Sequence, residues 1–251
     1  VKEGNWVPIR EIPCNDEVAS LLSSFNSMIA IQTKMRDDLI EAEKLKQQLS
    51  LSLLQQQVNP HFLYNTLDNI CALAELDEKE TLIQLVMNLS SFYRSSLSNG
   101  KMHISIGQEL EISRAYLEIL QIRYFHKFDF TITCPEALKN YSCIKLLLQP
   151  ILENSIYHGI KGLDRHGILH IEAEDTGDCI RFTISDNGRG FSKEDYEKIW
   201  QQDADHFGIK SIQQRILLYY GPGYGLSMQS PQTGGCITMI TLPKQEGLPC
   251  H

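Results

Sequence analysis

From Ile29 to Asn59 the sequence contains neither glycine nor proline, and apolar residues recur at Met28, Ile31, Met35, Leu39, Ala42, Leu45, Leu49 and Leu53. Gaps of three and four place these side chains on one stripe of a helix, with Lys, Glu, Asp and Gln opposite. The pattern predicts a helix of about thirty residues, long for a globular domain and of the length found in coiled coils and bundle stalks. Asn59-Pro60-His61 interrupts it, and the stripe resumes at Phe62, Leu63, Leu67, Ile70, Leu73 and Ala74. A second amphipathic helix is predicted over Lys79 to Leu97, after the polar turn at Asp77 and Glu78, and ends at Asn99-Gly100. Two antiparallel helices leave an apolar face bare. Two chains joined as a four-helix bundle would cover it, so a homodimer is expected.

The 251 residues carry 23 Lys plus Arg against 31 Asp plus Glu, a formal net charge of -8. No basic block could neutralise a phosphate backbone, so nucleic acid is not an expected partner. Seven cysteines are scattered with no CxxC or other metal spacing. They read as reduced, mostly buried small apolar residues of a cytosolic protein. No apolar run approaches the ~18 residues that a membrane span needs, and no signal peptide is visible. The chain opens on Val1 rather than Met, which we read as a fragment whose upstream part is missing.

After Gly100 the pattern changes. A helix is expected from about Gln108 to Tyr124, a strand over 128–134, and a helix from Cys143 to Tyr157. Strands at 168–174 and 179–186 follow, then a helix from Lys210 to Tyr220 and strands at 225–230 and 236–243. This order implies an α/β sandwich with helices on one sheet face, so the whole chain is α+β in two modules.

Three segments carry chemistry. In "IKLLLQPILENSIYHGI", Asn154 and His158 stand four apart on one helix face. An amide oxygen is a neutral hard ligand suited to a Mg2+ that keeps its waters and its bonds to phosphates; a self-satisfied polar pair is the plainer alternative. In "SDNGRGF", Asp186 ends an apolar strand and can accept a hydrogen bond from an exocyclic amine. Gly188 and Gly190 would let the backbone approach a planar base, although an ordinary turn has the same composition. In "HFGIKSIQQRI", Gly208 precedes a helix whose free N–H groups could cradle phosphates. The polar stretch from Ser192 to His206 has the size of a mobile lid.

In this order, the Asn154 helix, Asp186-x-Gly188-x-Gly190 and Gly208 resemble the N, G1 and G2 boxes of the GHKL ATP-binding fold, the Bergerat fold of gyrase, Hsp90, MutL and histidine kinases. The resemblance implies that Asn154 coordinates Mg2+, that Asp186 binds the adenine amino group, and that Gly188, Gly190 and Gly208 shape the ATP pocket. "GGCITMITLP" resembles the family's closing strand, with Cys236 in the usual Thr position. ATP-hydrolysing members carry a Glu four residues before the Asn. That position is Pro150, which cannot act as a base, so transfer to another acceptor is expected. Glu153 is the neighbouring acid that could assist, turned about 100° from the Asn154 face.

"LQQQVNPHFLYNTLDNI" resembles the phosphoacceptor box of LytS/YesM-type sensor histidine kinases at Gln57, Asn59, Pro60, His61, Phe62, Leu63, Tyr64, Asn65 and Leu67. "LLLQPILENSIYHGI" resembles the same family's N box. The resemblance implies ATP-dependent autophosphorylation of His61, then transfer to an Asp of a response regulator. Better-known histidine kinases have an acid after the histidine, where this chain has Phe62; Asn65, one turn on, is expected to orient the imidazole. His158 and Lys161, at i+4 and i+7 from Asn154, are expected to contact phosphates. Pro60, which would cost ~3 kcal/mol inside a regular helix, is expected to act as a hinge.

Residues 1–27 resemble part of a HAMP linker, which implies the cytoplasmic portion of a bacterial cell-membrane receptor. The expected domains are thus 1–27 linker, 28–100 dimerisation and histidine phosphotransfer, and 101–251 ATP-binding. A dimeric scaffold with a degenerate nucleotide site, as Lys210 and Cys236 could hint, and a GHKL-type ATPase are the alternatives.

Overall fold

A computed structural model describes residues 17–56, 60–96, 102–200, 207–232 and 234–245. Two units result, Val1–Gln56 and Gln57–His251. The described residues of the first form a single helix, α1 (Glu17–Gln56, 40 residues), which begins upstream of the expected start and takes in part of the linker-like segment. Residues 1–16 of that linker lie outside the described residues, as do Gln57, Val58 and Asn59. Along α1 the stripe residues Met28, Ile31, Met35 and Leu39 are exposed. No helix among the described residues is long and apolar enough to cross a membrane.

The second unit opens with α2 (Pro60–Glu75) and α3 (Lys79–Ser96). Pro60 is the first described residue of α2, and the three positions before it, where the hinge is expected, lie outside the described residues. Asp77, at φ 60°, turns the chain between the two helices. Strand β1 (His103–Ser105) pairs antiparallel with β3 (Ser142–Ile144). Between them run α4 (Ile106–Arg123) and β2 (Phe128–Thr133). Helix α4 starts at Ile106 rather than Gln108 because Ser105 and Gln108 form a reciprocal capping box, the Ser105 hydroxyl accepting from Gln108 N at 3.2 Å.

The main sheet has the order β2-β4-β5-β7-β6, with β4 Gly167–Asp175, β5 Cys179–Asp186, β6 Gly225–Gln229 and β7 Cys236–Pro243. Only the β2–β4 pair is parallel. Alternate residues point to one face, as strand geometry requires. Leu169, Ile171, Ile180, Phe182, Ile184, Ile240 and Leu242 are all buried there. They meet apolar residues of α4, α5 (Gln149–Asn154) and α7 (Phe207–Tyr220), giving one continuous core.

Residues Cys143 to Tyr157 do not form the single helix expected. Ser142–Ile144 is strand, Leu146 adopts a left-handed φ of 54°, and the helix proper is only Gln149–Asn154. A π-helical turn, Ser155–Ile160, continues it. The left-handed position costs a non-glycine residue about 1–2 kcal/mol, so something must hold it. Buried Glu109 and Arg215 do so by hydrogen-bonding Leu146 on both sides of its backbone. Of the described cysteines, Cys143 and Cys236 are buried, while Cys71 is exposed.

Candidate active site

Asp186 closes β5, opposite Cys236 at the start of β7. Its Oδ1 accepts from Gly188 N at 2.9 Å and from Cys236 N at 3.2 Å. Its Oδ2 is buried and has no hydrogen-bond partner. The Ser155 hydroxyl is close enough to favour the ionised form but does not meet hydrogen-bond geometry with Oδ2. Burial is the larger influence and raises the carboxyl pKa. An acceptor left unsatisfied in a low-dielectric site calls for a donor from outside the chain, and an exocyclic amine fits it.

The backbone around Asp186 is too close for side chains. A Cβ at Gly188 would lie 2.6 Å from Asp186 Oδ1 and 2.7 Å from Gly159 Cα. Gly190, at φ +72°, would drive a Cβ into Ser230 Oγ. That hydroxyl accepts from Phe191 N at 3.1 Å and donates to Gly235 O at 3.0 Å. The glycines thus bring the turn after β5 against the π-helical turn, where Arg189 N donates to Gly159 O at 3.2 Å.

A cavity opens between these segments, and Asn154, His158, Asp186 and Gly190 all line it. Its wall also includes Arg189, Phe191, Asp195 and Met228, which the sequence reading had not singled out. Cys236 is on the wall as well, its thiol pushed up to about 11 chiefly by burial, so it remains protonated at neutral pH. Residues Lys193–Trp200 of the lid-like stretch form helix α6, capped by Ser192, whose Oγ accepts from Asp195 N at 3.1 Å. Residues 201–206 of that stretch lie outside the described residues.

The other expected site residues stand around the cavity. Gly208 is in the first turn of α7, where a Cβ would come within 3.3 Å of Pro150 Cβ. Lys161 is not on the cavity wall; its ammonium sits over the rings of Tyr157 and Tyr124, 5.6 and 5.9 Å from their centroids. Glu153 is not on the wall either. Burial raises its carboxyl pKa, and it acts on the hydroxyl of Tyr116 in α4, which burial first and Glu153 second push well up.

His61 is exposed near the start of α2, while Phe62 beside it is 2% exposed. The Phe62 ring lies between Phe92 of α3 and Tyr116 of α4. Asn65 has a buried Nδ2 with no hydrogen-bond partner, and among the described residues no hydrogen bond joins it to His61.

A mixed five-stranded sheet, helices on one face, and an acid and glycines gathered at a cavity beside an asparagine helix define a Bergerat-type α/β sandwich behind a helical segment. A family model described as "Histidine kinase" matches residues 49–128, and one described as "Histidine kinase-, DNA gyrase B-, and HSP90-like ATPase" matches residues 141–246. The chain is 30% identical to sensor histidine kinase YesM of Bacillus subtilis, over 91% of this chain and 39% of the relative. It is 33% identical to sensor histidine kinase BtsS of Escherichia coli, over 72% of this chain and 31% of the relative. To sensor protein LytS of Staphylococcus epidermidis it is 26% identical, over 88% of this chain and 37% of the relative. It therefore spans well under half the length of these relatives. The chain belongs to the LytS/YesM-type sensor histidine kinase family.

Proposed function

We propose that this chain is the kinase portion of a two-component sensor: it autophosphorylates His61 from ATP and then passes the phosphoryl group to an aspartate of a response regulator. One observation carries the reading. A single polypeptide holds both an exposed histidine at a phosphoacceptor box and a cavity in which Asp186 Oδ2 lacks a donor. Asp186 would take the adenine amino group, and Asn154 would offer its amide oxygen to Mg2+. ATP with Mg2+ supplies the γ-phosphoryl group. The lone pair of a ring nitrogen of His61 attacks the γ-phosphorus; the new N–P bond forms as the P–O bond to ADP breaks, and the N–H proton of the other ring nitrogen passes to water. Pro150, where hydrolysing members carry Glu, offers no base to activate water and so favours transfer over hydrolysis.

The reading includes a homodimer. Tyr64, Leu67, Ile83, Val86 and Met87 of α2 and α3 are exposed, and a second copy would cover them as a four-helix bundle. Attachment to a membrane would come through the segment that the linker-like residues 1–27 continue. Incubation with γ-labelled ATP tests the reading, with His61→Gln as control: acid-labile, base-stable label that the substitution abolishes supports it. Bound nucleotide without label would instead favour a scaffold, and free phosphate without protein label an ATPase.

A further inference from the structure

Glu109 of α4 and Arg215 of α7 are 0% and 1% exposed, and both spend their charge on one short segment, Lys145 to Leu148. Glu109 Oε2 accepts from Leu146 N and Oε1 from Leu148 N, each at 2.9 Å. Arg215 Nη1 donates to Leu146 O at 3.2 Å, and Nη2 donates to Lys145 O. Leu146 therefore gives its N–H to a carboxylate and its carbonyl to a guanidinium, and its left-handed φ of 54° lets both happen at once. Glu109 and Arg215 form no direct salt bridge; each is held by the peptide groups between them, and the Arg215 guanidinium opposes the burial that raises the Glu109 carboxyl pKa.

This segment runs directly into α5, with Leu148 as its N-cap and Asn154 as its last residue. Arg215 stands two turns beyond Gly208 on α7, on the same side of the helix. Helix α7 thus meets the α5 region twice: at Pro150 through Gly208, and at Lys145 and Leu146 through Arg215.

We propose that Glu109 and Arg215 are positioning residues for nucleotide binding, a clamp that fixes the Asn154 helix against the helix that carries Gly208 in its first turn. The proposal rests on the reading of the cavity as an ATP site. Neither side chain lines the cavity; they act by setting where the two helices stand. The clamp joins three elements far apart in sequence and makes the glycine-led end of α7 and the asparagine end of α5 one rigid piece.

Titration calorimetry with ADP and Mg2+ on the 251-residue chain, alongside differential scanning calorimetry, tests it. Glu109→Gln and Arg215→Lys should weaken ADP binding roughly tenfold or more, the scale on which small misplacements act. The lysine substitution keeps the buried charge and can reach one carbonyl, so Arg215→Lys alone decides the matter if Glu109→Gln does not fold. Leu242→Ala provides the comparison: Leu242 is buried at the far end of the β5–β7 ladder from Asp186 and Cys236. It should lower Tm and leave affinity unchanged. Wild-type affinity in Arg215→Lys, or a parallel loss in Leu242→Ala, would overturn the clamp. Absence of ADP binding by the unsubstituted chain would instead overturn the ATP-site reading beneath it.

Discussion

Phe62 lies with its ring centroid 5.0 Å from that of Tyr116, so the residue after His61 anchors its helix to α4. Tyr116 in turn has a buried hydroxyl without a hydrogen-bond partner and feels the charge of Glu153, the residue before Asn154. The neighbour of His61 and the neighbour of Asn154 thus bear on one side chain. Phe62→Ala should cost about 3–5 kcal/mol and lower Tm by at least about 6 °C. Below the melting range, autophosphorylation should fall while ADP affinity holds, since Phe62 is not on the cavity wall. Calorimetry with a labelled-ATP time course checks both, and wild-type labelling would remove the anchor role.

Asp186 couples stability to pH. Burial raises its carboxyl pKa in the folded chain, so its favourable contribution is present at low pH, where it is protonated, and is lost as pH rises through the raised value. Above that raised value the ionised carboxylate lowers the stability of the nucleotide-free protein. Asp186→Asn keeps an oxygen for Gly188 N and Cys236 N and removes the charge. It should raise Tm at pH 7 by about 2 °C or more, the shift that roughly 1 kcal/mol produces at this size. That gain should vanish in acid, and ADP should no longer raise the melting temperature. Melting curves across pH, with and without ADP, decide it; an Asp186→Asn variant that ADP still stabilises fully would sink the assignment.

Strands β5 and β7 were legible to the residue, because alternation with one buried face leaves little freedom of register. The segment from Cys143 to Tyr157 was not. Its apolar spacing reads as helix, but Ser142–Ile144 pairs with β1, and Glu109 and Arg215 hold Leu146 left-handed; both causes are distant in sequence. The placement of Lys161 also depends on more than spacing. Spacing of i+7 on an α-helix puts it on the Asn154 face, whereas the π-helical turn intervenes and the ammonium lies over Tyr157 and Tyr124. Asn154, Asp186 and Gly190 were legible because their chemistry is local. Arg189 and Asp195 reach the cavity only through tertiary approach, and nothing in their spacing announces it. The α4 start was legible in principle, through Ser105-x-x-Gln108.

Close backbone approach at the cavity sets a steric test. Gly188→Ala would place a methyl 2.7 Å from Gly159 Cα, and backbone cannot yield there as a flexible side chain could. The substitution should cost about 1–3 kcal/mol and weaken ADP binding severely. Gly162→Ala is the matched control, as its Cβ would meet nothing within 4 Å. Titration calorimetry on the pair reads the difference, and equal affinities would show that the turn tolerates displacement.

Asn65 separates catalysis from stability. Its buried Nδ2 makes no hydrogen bond, so removing the amide forfeits no satisfied interaction, and Asn65→Ala should shift Tm by no more than about 2 °C. If the amide orients the His61 imidazole during transfer, autophosphorylation should nevertheless fall by about 10²-fold, the lower end of what a positioned proton-handling group contributes. ADP affinity should stay at the wild-type value, because Asn65 is not on the cavity wall. Initial rates of labelling at saturating ATP measure the effect. Labelling at the wild-type rate would leave Asn65 without a part in the transfer and turn attention to Asp68, the exposed carboxylate one turn further along the same face of α2.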